Sequence, residues 1–261
     1  MKKMFLKDRA ALLSRNAGAA RNGTGGGAVF SDELTAGLSE PIRKYLKVCG
    51  YMGTPVPVNA DVVWAESSIR LSPEKDWAPL ETIQFNSVKP IGRVAYMKFL
   101  SMPVAARDLY RDGYGEMNGK LFRVIPVVYD DSPEVAQSAL ITAFCEFMFI
   151  PGYVLLESVS WEQIDERVVR GTLCDNGITV TGEFHFDDEG YFTRFETLDR
   201  YYTTGKRTYR KVRFSATVAS YKTQGAIRIG ENVQITWHLP DGDLEYYKGV
   251  IDRVEFNVGG G

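Results

Sequence analysis

From Val62 onward, apolar and polar residues alternate with a period of two, which places successive side chains on opposite faces of an extended chain and predicts strands. Runs rich in Val, Ile, Phe and Tyr cover 62–71, 80–88, 93–100, 104–110 and 114–128. After an interruption they resume at 153–161, 167–174, 178–186, 191–202, 210–219, 232–239 and 244–257. The spacers carry Ser72-Pro73, Lys89-Pro90, Asp112-Gly113, Asn176-Gly177, Asp187-Asp188-Glu189-Gly190 and Pro240-Asp241-Gly242-Asp243. These are turn residues over lengths too short for a helical crossover, so neighbouring strands should pair antiparallel.

Two stretches switch to helical spacing. Between Glu40 and Cys49 the apolar residues Ile42, Tyr45, Leu46 and Cys49 share a face; Ser39 is suited to the N-cap, Pro41 to the first turn and Gly50 to the left-handed position after the last turn. From Ser132 to Met148 a stripe of Val135, Ala136, Ala139, Leu140, Ala143, Phe144 and Phe147 predicts a second helix, stopped by Pro151-Gly152. Roughly ten or more antiparallel strands in one core cannot stay flat, because strand twist accumulates. The expected class is mainly β (α+β): a strongly curved antiparallel sheet or half-open β-barrel, with about two helices packed in or over its concave face. A two-sheet β-sandwich is the alternative. No internal period points to a propeller or solenoid.

Composition narrows this. With 261 residues, 44% hydrophobic and 25% charged, the chain can bury one sizeable core, and residues 31–261 are expected to form a single β-rich domain. Residues 1–30 carry six Lys or Arg and one acid, leaving the remainder at net −7. The run from Gly18 to Ala28 is Gly-rich, so residues 1–30 are expected to be a flexible, disordered leader. A mildly acidic domain without a basic, aromatic-laced stripe does not suit a nucleic-acid partner. Cys49, Cys145 and Cys174 lack disulfide or zinc spacing and read as small apolar fillers in a reducing compartment. No window approaches the ~18 apolar residues of a membrane span, and Lys7, Asp8 and Arg9 cut short the apolar run after Met4-Phe5-Leu6, so a cytoplasmic location is expected, with envelope association if translation begins elsewhere.

Hydrolase, phosphate-loop and dinucleotide motifs are missing from the sequence, and no catalytic residue, metal ligand or cofactor is assigned. His185 alternates with Phe184 and Phe186 and reads as a solvated strand residue; His238 reads the same way. Glu146 is the informative acid, since it falls on the apolar stripe of the second helix and must face inward, where a carboxylate needs a partner. Arg107, in Arg107-Asp108-Leu109-Tyr110, and Arg200, in Arg200-Tyr201, are the candidates. The pairing is either a buried tie of helix to sheet or the polar floor of a ligand cavity. The candidate patch comprises Arg107, Asp108, Tyr110, Glu146, Trp161, Arg200 and Tyr201.

Residues from about 39 to 257 resemble an uncharacterised bacterial family, a domain of unknown function. The resemblance rests on Pro41-Ile42-Arg43-Lys44-Tyr45-Leu46, on Arg107-Asp108-Leu109-Tyr110 with Gly113 and Gly115, and on Glu146 with Pro151. It continues through Val159-Ser160-Trp161, Arg200-Tyr201, and Tyr221 with Trp237. It implies no activity. The order of strands and mid-chain helix is also similar to the outer-membrane lipoprotein carrier (LolA-like) half-barrel, whose concave face holds acyl chains. The abundance of aromatics, the inward-facing Glu146 and the missing catalytic motifs make the expected function the binding of an apolar or amphipathic small molecule or lipid in the concavity. A carboxylate-dependent hydrolase or isomerase using Asp108 and Glu146, and a non-catalytic assembly protein, are the alternatives.

Overall fold

The computed structural model describes residues 1–21 and 27–259. The chain opens with α1 (Lys2–Arg21), α2 (Asp32–Thr35) and α3 (Glu40–Val48). An antiparallel meander follows: β1 (Asn59–Ile69), β2 (Ala78–Ser87), β3 (Gly92–Phe99), β4 (Val104–Arg111), β5 (Tyr114–Leu121) and β6 (Ile125–Asp130). Helix α4 (Pro133–Cys145) and a 3-10 turn (Pro151–Leu155) interrupt it. Then come β7 (Val159–Gln163), β8 (Val168–Asp175), β9 (Ile178–Phe186), β10 (Phe192–Thr197), β11 (Tyr201–Gly205), β12 (Thr208–Lys211), β13 (Phe214–Val218), β14 (Tyr221–Gln224), β15 (Ile227–Gly230), β16 (Asn232–Leu239) and β17 (Gly242–Phe256).

Thirteen strands form one sheet in the order β6-β5-β4-β3-β2-β1-β17-β16-β13-β10-β9-β8-β7, every neighbour antiparallel; β11–β12 and β14–β15 are separate hairpins. Strands β5 and β9 stand nine positions apart, which at ~4.8 Å per strand would be roughly 43 Å in a flat sheet. Helix α4 touches both. The sheet therefore curls around α4 into a half-barrel, and α4 is buried all round, from Ala139 through Cys145. Gly115 is what lets it come so close, because a Cβ there would fall 2.4 Å from Ala136 Cα. Helix α3 plugs the concavity from one side, its Tyr45 hydroxyl donating to the Met148 carbonyl.

Several elements depart from the sequence expectation. The stretch 114–128 is two strands, because Phe122 and Arg123 adopt positive φ and turn the chain without a Gly or Asn to announce it. The stretch 191–202 divides between β10 and β11, the 153–161 strand begins only at Val159, and β14–β15 was not anticipated. Ser132 caps α4 as expected, but the Ser39 side chain makes no capping bond.

The largest correction concerns the leader. Residues 2–21 are not disordered: α1 lies on the convex face of β2, β3 and β4. Phe5 and Leu12 pack against Phe85, Val94, Tyr96 and Leu109, while Asp8 pairs with Arg107 and Arg9 with Asp61. Inward residues Phe5, Asp8, Leu12 and Asn16 recur at helical spacing, but half of them are polar, so the stripe is weak when read as hydrophobicity alone. Positions 22–26 of the Gly-rich run lie outside the described residues. Replacing the fully buried Leu12 by alanine should cost about 2 kcal/mol in urea unfolding, the low end for a buried leucine because the cluster is small. A change under about 0.5 kcal/mol would show that α1 is not docked.

Alternation in β9 is as expected, with Phe184 and Phe186 buried and His185 on the other face. Burial first, and Arg194 second, hold the His185 imidazole below its ordinary value of 6.5. The unfolded chain thus takes up this proton before the folded one does, so stability should fall as pH drops through about 6.5. His185→Gln should flatten the dependence of the urea midpoint over that range; an unchanged slope would assign it to other groups.

Candidate functional site

The concavity is filled unequally. On the β7–β10 side, Phe144 of α4 and Phe147 just beyond it pack into Phe184, Phe195 and Trp161 with ring centroids 5.1–6.3 Å apart. On the other side, between α4 and β1–β5, β13, β16 and β17, a cavity of about 400 Å³ remains. Its walls are largely apolar and aromatic, including Trp64, Phe149, Trp237 and Tyr246, and the hairpin β11–β12 leans across it with Tyr201, Tyr202 and Tyr209. That hairpin is tied to the middle of α4 by Tyr201 N–H to Ser138 Oγ (3.2 Å) and to the end of β6 by the Tyr209 hydroxyl to Asp130.

The polar floor comes from strand positions that alternate with the α1-covered apolar stripe. Cross-strand register places Asn86 beside Arg93, and Gln84 and Asp108 on either side of Ala95, all facing inward, while Phe85, Val94 and Leu109 face outward. Glu146, at the C-cap of α4, reaches this floor. Arg93 Nε donates to both its carboxylate oxygens (2.9 and 3.0 Å), Asn86 Nδ2 donates to Oε2 (2.7 Å), and Gln84 donates in turn to Asn86 (2.8 Å). Arg93 Nη1 spans to Asp108 Oδ2 at 2.7 Å. One guanidinium thus holds two carboxylates. Burial pushes the Glu146 carboxyl above the ordinary carboxylate value, and Arg93 and Asn86 only partly offset it. Burial works against the Arg93 charge as well, but Glu146 and Asp108 together hold its pKa above the usual value.

Arg200 is different. Its Nη1 donates to Thr142 Oγ1, its guanidinium lies 4.3 Å over the Phe214 ring and 5.4 Å from that of Trp237, and its Nε has no acceptor among the described residues. No carboxylate among the described residues lies within ion-pair distance of it, and burial draws its pKa down. The Trp64 indole N–H, on the cavity wall, likewise has no acceptor among the described residues.

Of the seven residues singled out from sequence, Asp108, Glu146, Arg200 and Tyr201 line this cavity. Arg107 does not pair with Glu146: it points through the opposite face, to Asp8 and Glu116 beneath α1. Tyr110 is fully buried, its hydroxyl on Asp175 (2.5 Å), and Trp161 belongs to the filled half, its indole donating to Val154 O (3.0 Å). Arg93, Asn86 and Gln84 were missed. Their signal is the phase of alternation: Thr82, Gln84 and Asn86 form a polar stripe opposite Ile83 and Phe85, which is costly unless something polar is built there.

Chemically, the floor presents hydrogen-bonding groups and one uncommitted cation. Both carboxylates are engaged by Arg93, which suits them poorly to take a proton from a substrate. Among the described residues no three His, Cys, Asp or Glu side chains converge as metal ligands would. A chain of bonds from Ser215 Oγ to His238 Nε2 (2.9 Å) and from His238 Nδ1 to Asp243 (2.9 Å) lies on the outer face. Ser215 is only 4% exposed there, in a strand paired on both sides, so the local backbone N–H groups are committed to the ladder and cannot serve an oxyanion. It braces the β16–β17 hairpin.

Comparison with curated proteins returns no match. Among solved structures, the chain is similar to a putative outer membrane lipoprotein-sorting protein domain from Vibrio parahaemolyticus (14% identity, 77% of this chain and 86% of that one, TM-score 0.44). It is similar also to a LolA superfamily protein from Nitrosomonas europaea (10%, 88% and 94%, TM-score 0.45) and to a DUF1329 family protein from Desulfovibrio piger (10%, 88% and 95%, TM-score 0.44). No helix among the described residues is long and apolar enough to cross a membrane. The profile described as "Family of unknown function (DUF6544)" matches residues 28–249, from the chain just before α2 into β17, and the protein belongs to that family.

Proposed function

We propose that the concavity binds one amphipathic molecule, its apolar part against the aromatic wall and an acidic end at Arg200. The observation that carries this reading is Arg200 itself: a cation without a carboxylate, set over two aromatic rings in a cavity of ligand size. Leaving such a group uncompensated costs stability, and strained or uncompensated groups persist where function needs them. Arg93 has no such freedom, since Glu146 and Asp108 already occupy it.

The test is native mass spectrometry of the protein purified from cells, followed by solvent extraction of whatever co-purifies. A stoichiometric fatty acid, phospholipid or other acid-headed amphiphile supports the reading. An empty protein that also fails to bind added dodecanoate overturns it.

A further inference from the structure

In an antiparallel meander alternate turns share one end of the sheet, and here the β1–β2, β3–β4 and β5–β6 turns do so. The Leu100 N–H donates to Pro79 O (3.0 Å) and the Phe122 N–H to Pro103 O (2.8 Å), which stitches these turns into one rim. That rim is unusually apolar for a surface: Leu100 is 58% exposed, Phe122 63% and Val124 70%. Met102 and Ile125 beside them are exposed as well. Contiguous exposed apolar surface of this kind marks an interaction site.

The turn at its tip carries a conformational cost. Leu121 O accepts from Val124 N–H (3.2 Å) around Phe122 and Arg123, whose φ values are 50° and 67°. Asn-Gly or Asp-Gly normally fills such a turn, as Asn176-Gly177 does elsewhere in this chain, and a bulky residue at positive φ is an outlier. The sequence thus holds a large aromatic and a cation in solvent at the expense of the turn.

Charge around the rim has one dominant sign. Lys98, Lys120 and Arg123 flank the apolar tips, and the exposed Lys2 and Lys3 of α1 stand beside them; the acids are Glu81, which Lys2 and Lys98 share at 3.6 and 3.5 Å, and the exposed Glu74 and Asp76 of the β1–β2 turn, which also carries Arg70 and Lys75. An apolar tip ringed by cations is complementary to the interface of an anionic bilayer. Strand addition by another protein is disfavoured, because the free edge β6 carries Pro126 and faces a register shift at Gly119/Lys120.

We propose that this rim docks on an anionic lipid bilayer, with Leu100, Met102, Phe122 and Val124 entering the interface and Lys98, Lys120 and Arg123 meeting the headgroups. Leu71 and Val128 are exposed and also line the cavity, so the docked protein would turn the cavity mouth toward the lipid. The proposal stands whether or not the cavity holds a ligand.

Flotation of the full chain with phosphatidylcholine vesicles, with and without phosphatidylglycerol, tests it. Binding should require phosphatidylglycerol and weaken with salt. The double variant Phe122→Asn/Arg123→Gly should float at least roughly tenfold less well while melting no lower than the parent, because Asn-Gly relieves the turn. Lys120→Glu, which leaves Phe122 in place, should also reduce flotation. No binding by the parent chain, or equal binding by the variants, overturns the proposal. So does a parent dimer that ignores vesicles and that the double variant dissociates, an outcome that would assign the rim to a second copy.

Discussion

Replacing Arg93 by methionine should destabilise the protein by about 3–5 kcal/mol, because it leaves two buried carboxylates, Glu146 and Asp108, without their shared cation. The loss should depend on pH. In the variant Glu146, whose carboxyl burial already holds above its ordinary value, loses the cation that partly offset this, so the folded state keeps that proton to higher pH than the unfolded chain does, and stability falls as pH rises from the ordinary carboxylate value upward. Urea unfolding at about pH 5 and about pH 8 should therefore show the larger penalty at the higher pH. Adding Glu146→Gln to Arg93→Met removes one of the two stranded charges and should recover about 1–2 kcal/mol, measured as the coupling term of a double-mutant cycle. A penalty below about 1 kcal/mol for Arg93→Met would mean that Glu146 is neutral in the native protein and that the arginine compensates little.

Arg200→Met should show the opposite pattern. Methionine keeps much of the packing against Phe214 and Trp237 while removing an uncompensated cation, so the urea midpoint should stay the same or rise. Binding of dodecanoate, followed by calorimetry, should weaken on the order of a hundredfold, since a charge-assisted pair in a desolvated site contributes about 2–3 kcal/mol. Dodecanol, which has the same chain and no charge, should bind both proteins alike. If dodecanoate affinity is unchanged, the acidic end does not sit at Arg200; if both probes weaken equally, Arg200 shapes the wall rather than recognising a head. Lost stability without lost binding would make it a packing residue.

These two arginines also mark how far the site was legible. That Glu146 faces inward and needs a cation follows from the stripe of its helix and from the cost of burying a carboxylate. Which cation it meets does not follow, because the partner is chosen by strand register and by which face of the sheet lies inside. Arg107 and Asp108 are adjacent, so period two puts them on opposite faces; only Asp108 reaches the cavity. Arg93, fifteen residues before Asp108 and on the neighbouring strand β3, becomes the common neighbour of Asp108 and Glu146 only when β3 and β4 are paired and α4 is laid across them.

Local periodicity, turn chemistry and the number of strands were enough to establish the antiparallel strands, their Asn-Gly and Asp-Gly turns, the two buried helices and the need for curvature. Tertiary packing settled everything else. It buries the apolar stripe Phe85, Val94 and Leu109 outward, under α1, and turns the polar stripe inward, where Gln84, Arg93 and Asp108 line the cavity and Asn86 lies buried against Glu146. Alternation sorts side chains into two faces but carries no information about which face another element will cover. That choice was made by a helix at the far end of the chain, whose own stripe is half polar and becomes favourable only when Asp8 and Arg9 find Arg107 and Asp61.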